Sequence, residues 1–283
     1  MQHYQSTPFA GDFVFLEGPR WHDGRLWVSD IWAHTVYAVA ADGTREAIVE
    51  VPQRPSGLGF LPDGTPLVVS MIDRRLYRLE GGRLVLHADL AASVAAELND
   101  MVVDGQGRAY VGNMGYDLFN DAEPKTAEIT LVEPDGSHRH VATGLDFPNG
   151  MLITDSGSTL VVAESFGHRV SAFDIAADGS LSGQRVLAEL PELIPDGICL
   201  DAAGNVWVAG AMGGLFVQLD PAGSVIAQVD VRPRAAIACQ LGGADGRDLF
   251  CLVYDGGIEE LSRGQPGASI EIARVAHPAA GSP

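Results

Sequence analysis

Apolar and polar residues alternate with a period of two through most of this chain, in short runs that end on turn residues. That alternation predicts strands with one buried face. One phrase recurs six times: a turn carrying Asp or Gly, then an apolar strand. The copies read HDGRLWVSD, PDGTPLVVS, GQGRAYVGN, DSGSTLVVAES, AAGNVWVAG and ADGRDLFCLV. Their turn glycines, Gly24, Gly64, Gly107, Gly157, Gly204 and Gly246, are spaced by 40, 43, 50, 47 and 42 residues. A further hairpin follows most copies (VYAVAADG, LYRLEGG, ITLVEPDG, VSAFDIAADG, LFVQLDPAG and, more weakly, IEELSRG). Another strand precedes each turn: GPRW, GLGF, DMVV, GMLI, GICL and IACQ. Helical periodicity is scarce; DLAASVAAEL (89–98) predicts one short helix, and 116–128 predicts a long loop.

A repeat of this length with three or four strands cannot bury both faces of its own sheet. Six such sheets packed face to face around an axis can. The pattern therefore predicts an all-β chain, a six-bladed β-propeller formed by residues 1–283 as a single domain. In that architecture the innermost strands line a central channel, and equivalent positions form a ring. The residue just before each inner apolar core is Glu17, Ser56, Asn99, Asn149, Asp196 and Ala236. Four of the six are oxygen donors that are costly to place beside an apolar core. Two carboxylates near one axis repel, and a shared cation relieves both problems. Oxygen donors with two negative charges suit a hard divalent ion, Ca²⁺, Mg²⁺ or Mn²⁺; Zn²⁺ is possible, although no His or Cys sits in the ring. Gly18, Gly57, Gly150 and Gly197 directly follow four ring members and are expected to permit sharp turns that aim donors at the axis. Asp23, Asp63, Asp104, Asp201 and Asp245 read instead as outer-turn residues.

Composition narrows the partners. Lys and Arg total 18 against 37 Asp and Glu, a formal charge of −19. That argues against nucleic acid and against an anionic membrane surface. No run approaches a membrane span, and the first residues show no secretory signal, so a cytoplasmic protein is expected. Cys199, Cys239 and Cys251 sit among apolar neighbours and read as buried free thiols. His22 and His34 read as surface or turn residues. No nucleophile elbow and no Ser/His/Asp arrangement stands out, and GNMGYD lacks the Lys and helix start of a phosphate loop.

The stretches LEGPRW (16–21), RPSGLGFLPDG (54–64), LNDMVVDGQGRAYVGNM (98–114), FPNGMLIT (147–154) and IPDGICLDAAGNVWVA (194–209) resemble the SMP-30/gluconolactonase/luciferin-regenerating-enzyme family, which includes regucalcin. The resemblance implies a six-bladed propeller with one divalent metal, Ca²⁺ first among the candidates. It implies Glu17, Asn149 and Asp196 as ligands, with Asn99 beside them as a substrate contact or looser ligand. It also implies hydrolysis of a small-molecule lactone or ester. Asp196 is the expected general base, with metal-activated water as the alternative, and Asn99 is the expected donor to the carbonyl oxygen.

Two departures from the family pattern bear on the substrate. Glu97 stands where sugar-lactone hydrolases of this family commonly carry Arg. If Glu97 faces the pocket, a neutral or apolar lactone is favoured over an acidic one; otherwise it points to solvent or closes the short helix. Ala235 and Ala236 replace a polar pair, which makes that side of the channel less polar. Tyr116 and Phe119, at the start of the long insert, are expected substrate contacts. Met71, Met114, Phe147, Glu164, Met212 and Tyr254 are further residues placed to wall the mouth. Other readings are a calcium-binding propeller that acts by association, and another metal-assisted reaction such as phosphotriester hydrolysis, hydration or isomerisation.

Overall fold

The computed structural model describes residues 1–120, 122–154 and 157–281. Six twisted sheets stand around an axis. Their innermost strands are Leu16–His22, Pro55–Phe60, Leu98–Val103, Pro148–Ile153, Pro195–Leu200 and Ala235–Gly242. Each inner strand packs on the next, and the sixth packs on the first, so the ring closes. Every blade continues outward through antiparallel neighbours.

The hydrophobic core lies between blades, as face-to-face packing of half-apolar sheets requires. Leu67, Val69 and Leu76 of blade 2 meet Met101 and Val111 of blade 3. Trp207 and Phe216 of blade 5 meet Leu249 and Cys251 of blade 6. The chain ends are used for closure. Ser6–Phe13 is the outermost strand of blade 6, paired antiparallel with Ala268–Arg274. Gln2–Tyr4 adds in parallel to Val225–Asp230 of blade 5. Ser6 Oγ donates to Glu271 (2.6 Å), which also pairs with Arg234, so the closing strand is tied to a partly buried ion pair of blade 6.

Two local expectations fail. Residues 89–98 form no helix: the strand Arg83–Asp89 runs into a single hydrogen-bonded turn, and Asp89 caps the Ala91 amide (3.1 Å). Leu90, Val94, Ala96 and Leu98 then all bury in the interblade core, which overrides the helical preference of an alanine-rich segment. Conversely, IEELSRG is not a strand; Ile258–Ser262 is a short helix, with Glu259 and Glu260 in its first turn, where acidic side chains suit the helix dipole. All three cysteines are buried and unpaired, as their apolar surroundings predict. Among the described residues no helix is long and apolar enough to cross a membrane.

Candidate active site

Each inner strand breaks register with its neighbour at the same place. Pro55 pairs with Ser70 and Leu58 with Val68, so one extra residue is inserted across Ser56 and Gly57. The same insertion spans Asn99, Asn149 and Asp196 in blades 3, 4 and 5, and it recurs near Glu17 and Ala236. In blades 3, 4 and 5 the bulge releases Asn99, Asn149 and Asp196 from the ladder and re-aims their side chains toward the channel, whereas Glu17 keeps its pairing with Ser29 and the extra residue follows it. The glycines that follow serve a different purpose from the one expected. Only Gly18 of the four has a left-handed φ (+55°). At Gly150 a Cβ would come within 2.6 Å of the Asp196 carbonyl oxygen. The dominant demand there is close approach of neighbouring inner strands.

Glu17, Asn99, Asn149 and Asp196 all line one cavity of about 290 Å³ at the channel mouth. Ser56 and Ala236 do not; both are buried, and the Ser56 carbonyl accepts a hydrogen bond from Ser29 Oγ (2.6 Å). The orientation of the amides is set by their partners. Asn149 Nδ2 donates to Ser165 Oγ (3.2 Å), and Ser165 Oγ donates onward to the Pro195 carbonyl (2.7 Å). Asn149 Oδ1 is left buried with no hydrogen-bond partner, and so is Asp196 Oδ1. Asn99 Nδ2 donates to the Pro148 carbonyl (3.3 Å).

Glu17 and Asp196 are both buried. Burial pushes the Glu17 carboxyl well above its usual range, and the charges of Asp196 and Asp100 add to this. Burial does the same to Asp196, again with Asp100. A divalent cation fits these residues, because it would partner the two orphaned oxygens and hold both acids ionised. Among the described residues no three His, Cys, Asp or Glu side chains are grouped so as to hold a metal ion, so the asparagine oxygens would be needed to complete its ligand set.

Beneath this layer lies a second one. Asp100, beside Asn99, pairs with Arg20 from blade 1 (3.0 Å), both fully enclosed. Arg20 also donates to the carbonyls of Pro19 (2.8 Å) and Met101. The far end of the channel retains a hollow of only about 20 Å³, walled in part by Arg20, Gln240 and Ala280.

The remaining expected residues divide. Met71, Met114, Phe147 and Met212 line the cavity. Glu164 does not: it is buried behind the wall, where burial would raise its carboxyl but hydrogen bonds from Arg169 (2.7 Å), Ser171 and the Asp146 amide hold it low. Tyr254 turns away to pack edge-on against Phe15. Tyr116 lines the adjoining hollow and packs on Phe147 and Phe166, with centroids 6.5 and 6.4 Å away. The Phe119 side chain lies outside the described residues, as do turn residues 155 and 156 of the fourth repeat. Glu97 is half-buried in that adjoining hollow rather than in the main cavity. Burial raises its carboxyl, and the Arg54 charge opposes this. Asp201 is more than a turn residue: it is fully buried and accepts from Asn205 (2.9 Å) and Gln218 (2.7 Å). Sequence reasoning missed Ser165, Trp32, Arg54 and Phe166, all in the cavity wall. Arg54 stacks over the Trp32 ring at 3.8 Å.

Residues 15–253 match the SMP-30/Gluconolactonase/LRE-like region. The chain is 27% identical to the pentonolactonase XacC of Haloferax volcanii over 85% of this chain and 81% of that one. It is 27% identical to the regucalcin of Danio rerio, over 89% and 87%. Its fold superposes on the calcium-binding protein regucalcin of Agrobacterium tumefaciens with a TM-score of 0.78 at 21% identity, covering 99% of both chains.

Proposed function

The chain belongs to the SMP-30/gluconolactonase/LRE-like family, and from that membership we propose that it is a metal-dependent hydrolase that opens a lactone ring. One observation carries the proposal. Two buried carboxylates and two amides converge on one cavity, and an oxygen each of Asn149 and Asp196 is left without a partner. Glu17, Asn149 and Asp196 are the residues that would hold a divalent cation, Ca²⁺ first. Bound there, the cation would supply a Lewis acid for the lactone carbonyl.

The chain's own residues account for the rest. Asn99 spends one N–H on Pro148 and keeps a second for the carbonyl oxygen of the substrate, where charge develops in the transition state. Asp196 takes the proton of the attacking water and delivers it to the departing ring oxygen. Ser165 holds the Asn149 amide so that its oxygen, not its nitrogen, faces the cavity. The preference for a neutral lactone also belongs to this proposal. Arg54 is the cation in the cavity wall, and Glu97 behind it offsets its charge. An anionic substrate gains little from that pair.

The experiment is elemental analysis of the purified protein, followed by a lactone panel with and without chelator. One bound divalent ion and chelator-sensitive ring opening are expected. Turnover that survives complete metal removal would refute the proposal.

A further inference from the structure

The walls above the polar floor say more about the substrate. In each blade the turn after the second strand reaches the mouth, and its second position is apolar in four of the blades: Trp32, Ile72, Phe166 and Met212. Ile72, Phe166 and Met212 are exposed, Met212 to 81%. Singly exposed apolar residues are ordinary, but these occupy one repeated position, Phe166 and Met212 on the main cavity and Ile72 on the adjoining hollow, which marks a binding surface. Phe166 lies 4.8 Å from the Phe147 ring, and both line the cavity with Met212. The stretch of wall formed by Phe147, Phe166 and Met212 offers little to a sugar. The Ser165 hydroxyl is already engaged as acceptor from Asn149 and donor to Pro195. Hydroxyl groups laid against Phe147, Phe166 and Met212 would lose water without gaining a partner.

Resting on the lactone reading, we propose that the substrate ring carries an apolar substituent, an alkyl or aryl group, received by a track of Phe147, Phe166 and Met212. The ester head then sits on the ring of oxygen donors, and the tail leaves along the aromatic wall.

The test is kcat/KM of the calcium-loaded enzyme on γ-lactones lengthened stepwise from γ-butyrolactone to γ-undecalactone, with glucono-δ-lactone alongside. Each methylene on the track should raise kcat/KM about three- to fourfold, the value of one buried methylene. The double variant Phe166→Ala, Met212→Ser should cut the long-to-short ratio by about tenfold or more. Binding of 2-alkylcyclopentanones, which cannot be hydrolysed, is measured in parallel by calorimetry. Turnover with a flat or falling profile, or with glucono-δ-lactone preferred, overturns the track and leaves the lactonase standing. No turnover but chain-dependent binding of the ketones supports the track and overturns the lactonase. Neither turnover nor binding overturns both.

Discussion

Two layers of buried acid lie one step apart in the same channel, and they are completed in opposite ways. In the inner layer Asp100 has a resident partner: Arg20 sits 3.0 Å away and also donates to the carbonyls of Pro19 and Met101. Burial still raises the Asp100 carboxyl, but Arg20 opposes it. In the mouth layer Glu17 and Asp196 are equally enclosed and face each other, and the carboxyls of both are driven well up. Glu164 makes the same point from behind the wall, where Arg169 and Ser171 hold a fully buried carboxylate low. An acid that brings its own cation is part of the frame. A pair that lacks one is built to receive something.

Crossed substitutions test that difference most severely. Asp196→Asn should lower turnover by about 10²–10⁴-fold, the range of a lost general base. In chelated protein it should leave stability unchanged or improved, because one of two repelling acids is gone. Arg20→Met should do the reverse where it matters for the fold, costing about 3–5 kcal/mol in urea denaturation by stranding Asp100. A destabilising Asp196→Asn, or a neutral Arg20→Met, would erase the distinction between the layers.

The mouth layer should also give the metal-free protein an unusual pH response. A carboxyl whose folded pKa is raised contributes stability that is full below its unfolded value and is lost as pH rises through the folded one. Chelated wild type should therefore lose ground to chelated Asp196→Asn as pH rises from the ordinary carboxylate range upward. Added Ca²⁺ should restore it, by about 2.7 kcal/mol at a hundredfold excess over Kd. Melting curves of the two proteins across pH, with chelator and with calcium, decide this. A constant gap between them would mean that burial does not raise the Asp196 carboxyl in the folded state.

The mouth layer was also the more legible of the two. Six repeats with matching turns align Glu17, Asn99, Asn149 and Asp196 without any structure, because equivalent strand positions must form a ring about an axis. Arg20 and Asp100 stand 80 residues apart on non-adjacent blades, and nothing in either local sequence links them. Register breaks were equally hidden, since they depend on the partner strand and not on the strand itself. Glu97 stands two residues before Asn99 in the sequence, but which hollow a half-buried side chain enters is fixed by tertiary packing. Trp32 and Phe166 lie 134 residues apart in turns of different repeats, and only the closed ring places them around one mouth. The strands at the N-terminus gave no sign that they complete blade 6 and extend blade 5.

Ser165 offers the finest division between holding the fold and setting the site. Its hydroxyl clamps blade 5 through the Pro195 carbonyl (2.7 Å), as Ser29 clamps blade 2 through the Ser56 carbonyl (2.6 Å). Only Ser165 also receives the Asn149 amide. Each serine replaced by alanine should therefore lose about 1 kcal/mol of stability in chelated protein, the worth of one buried hydrogen bond. Ser165→Ala alone frees the Asn149 amide to turn its nitrogen toward the cavity. Calcium affinity by calorimetry should then fall about 10–100-fold in Ser165→Ala, the usual cost of losing a group that orients a ligand. In Ser29→Ala it should stay near the wild-type value. Equal affinity in the two variants would reduce Ser165 to a clamp and leave the direction of the Asn149 oxygen to be set by the bulge alone.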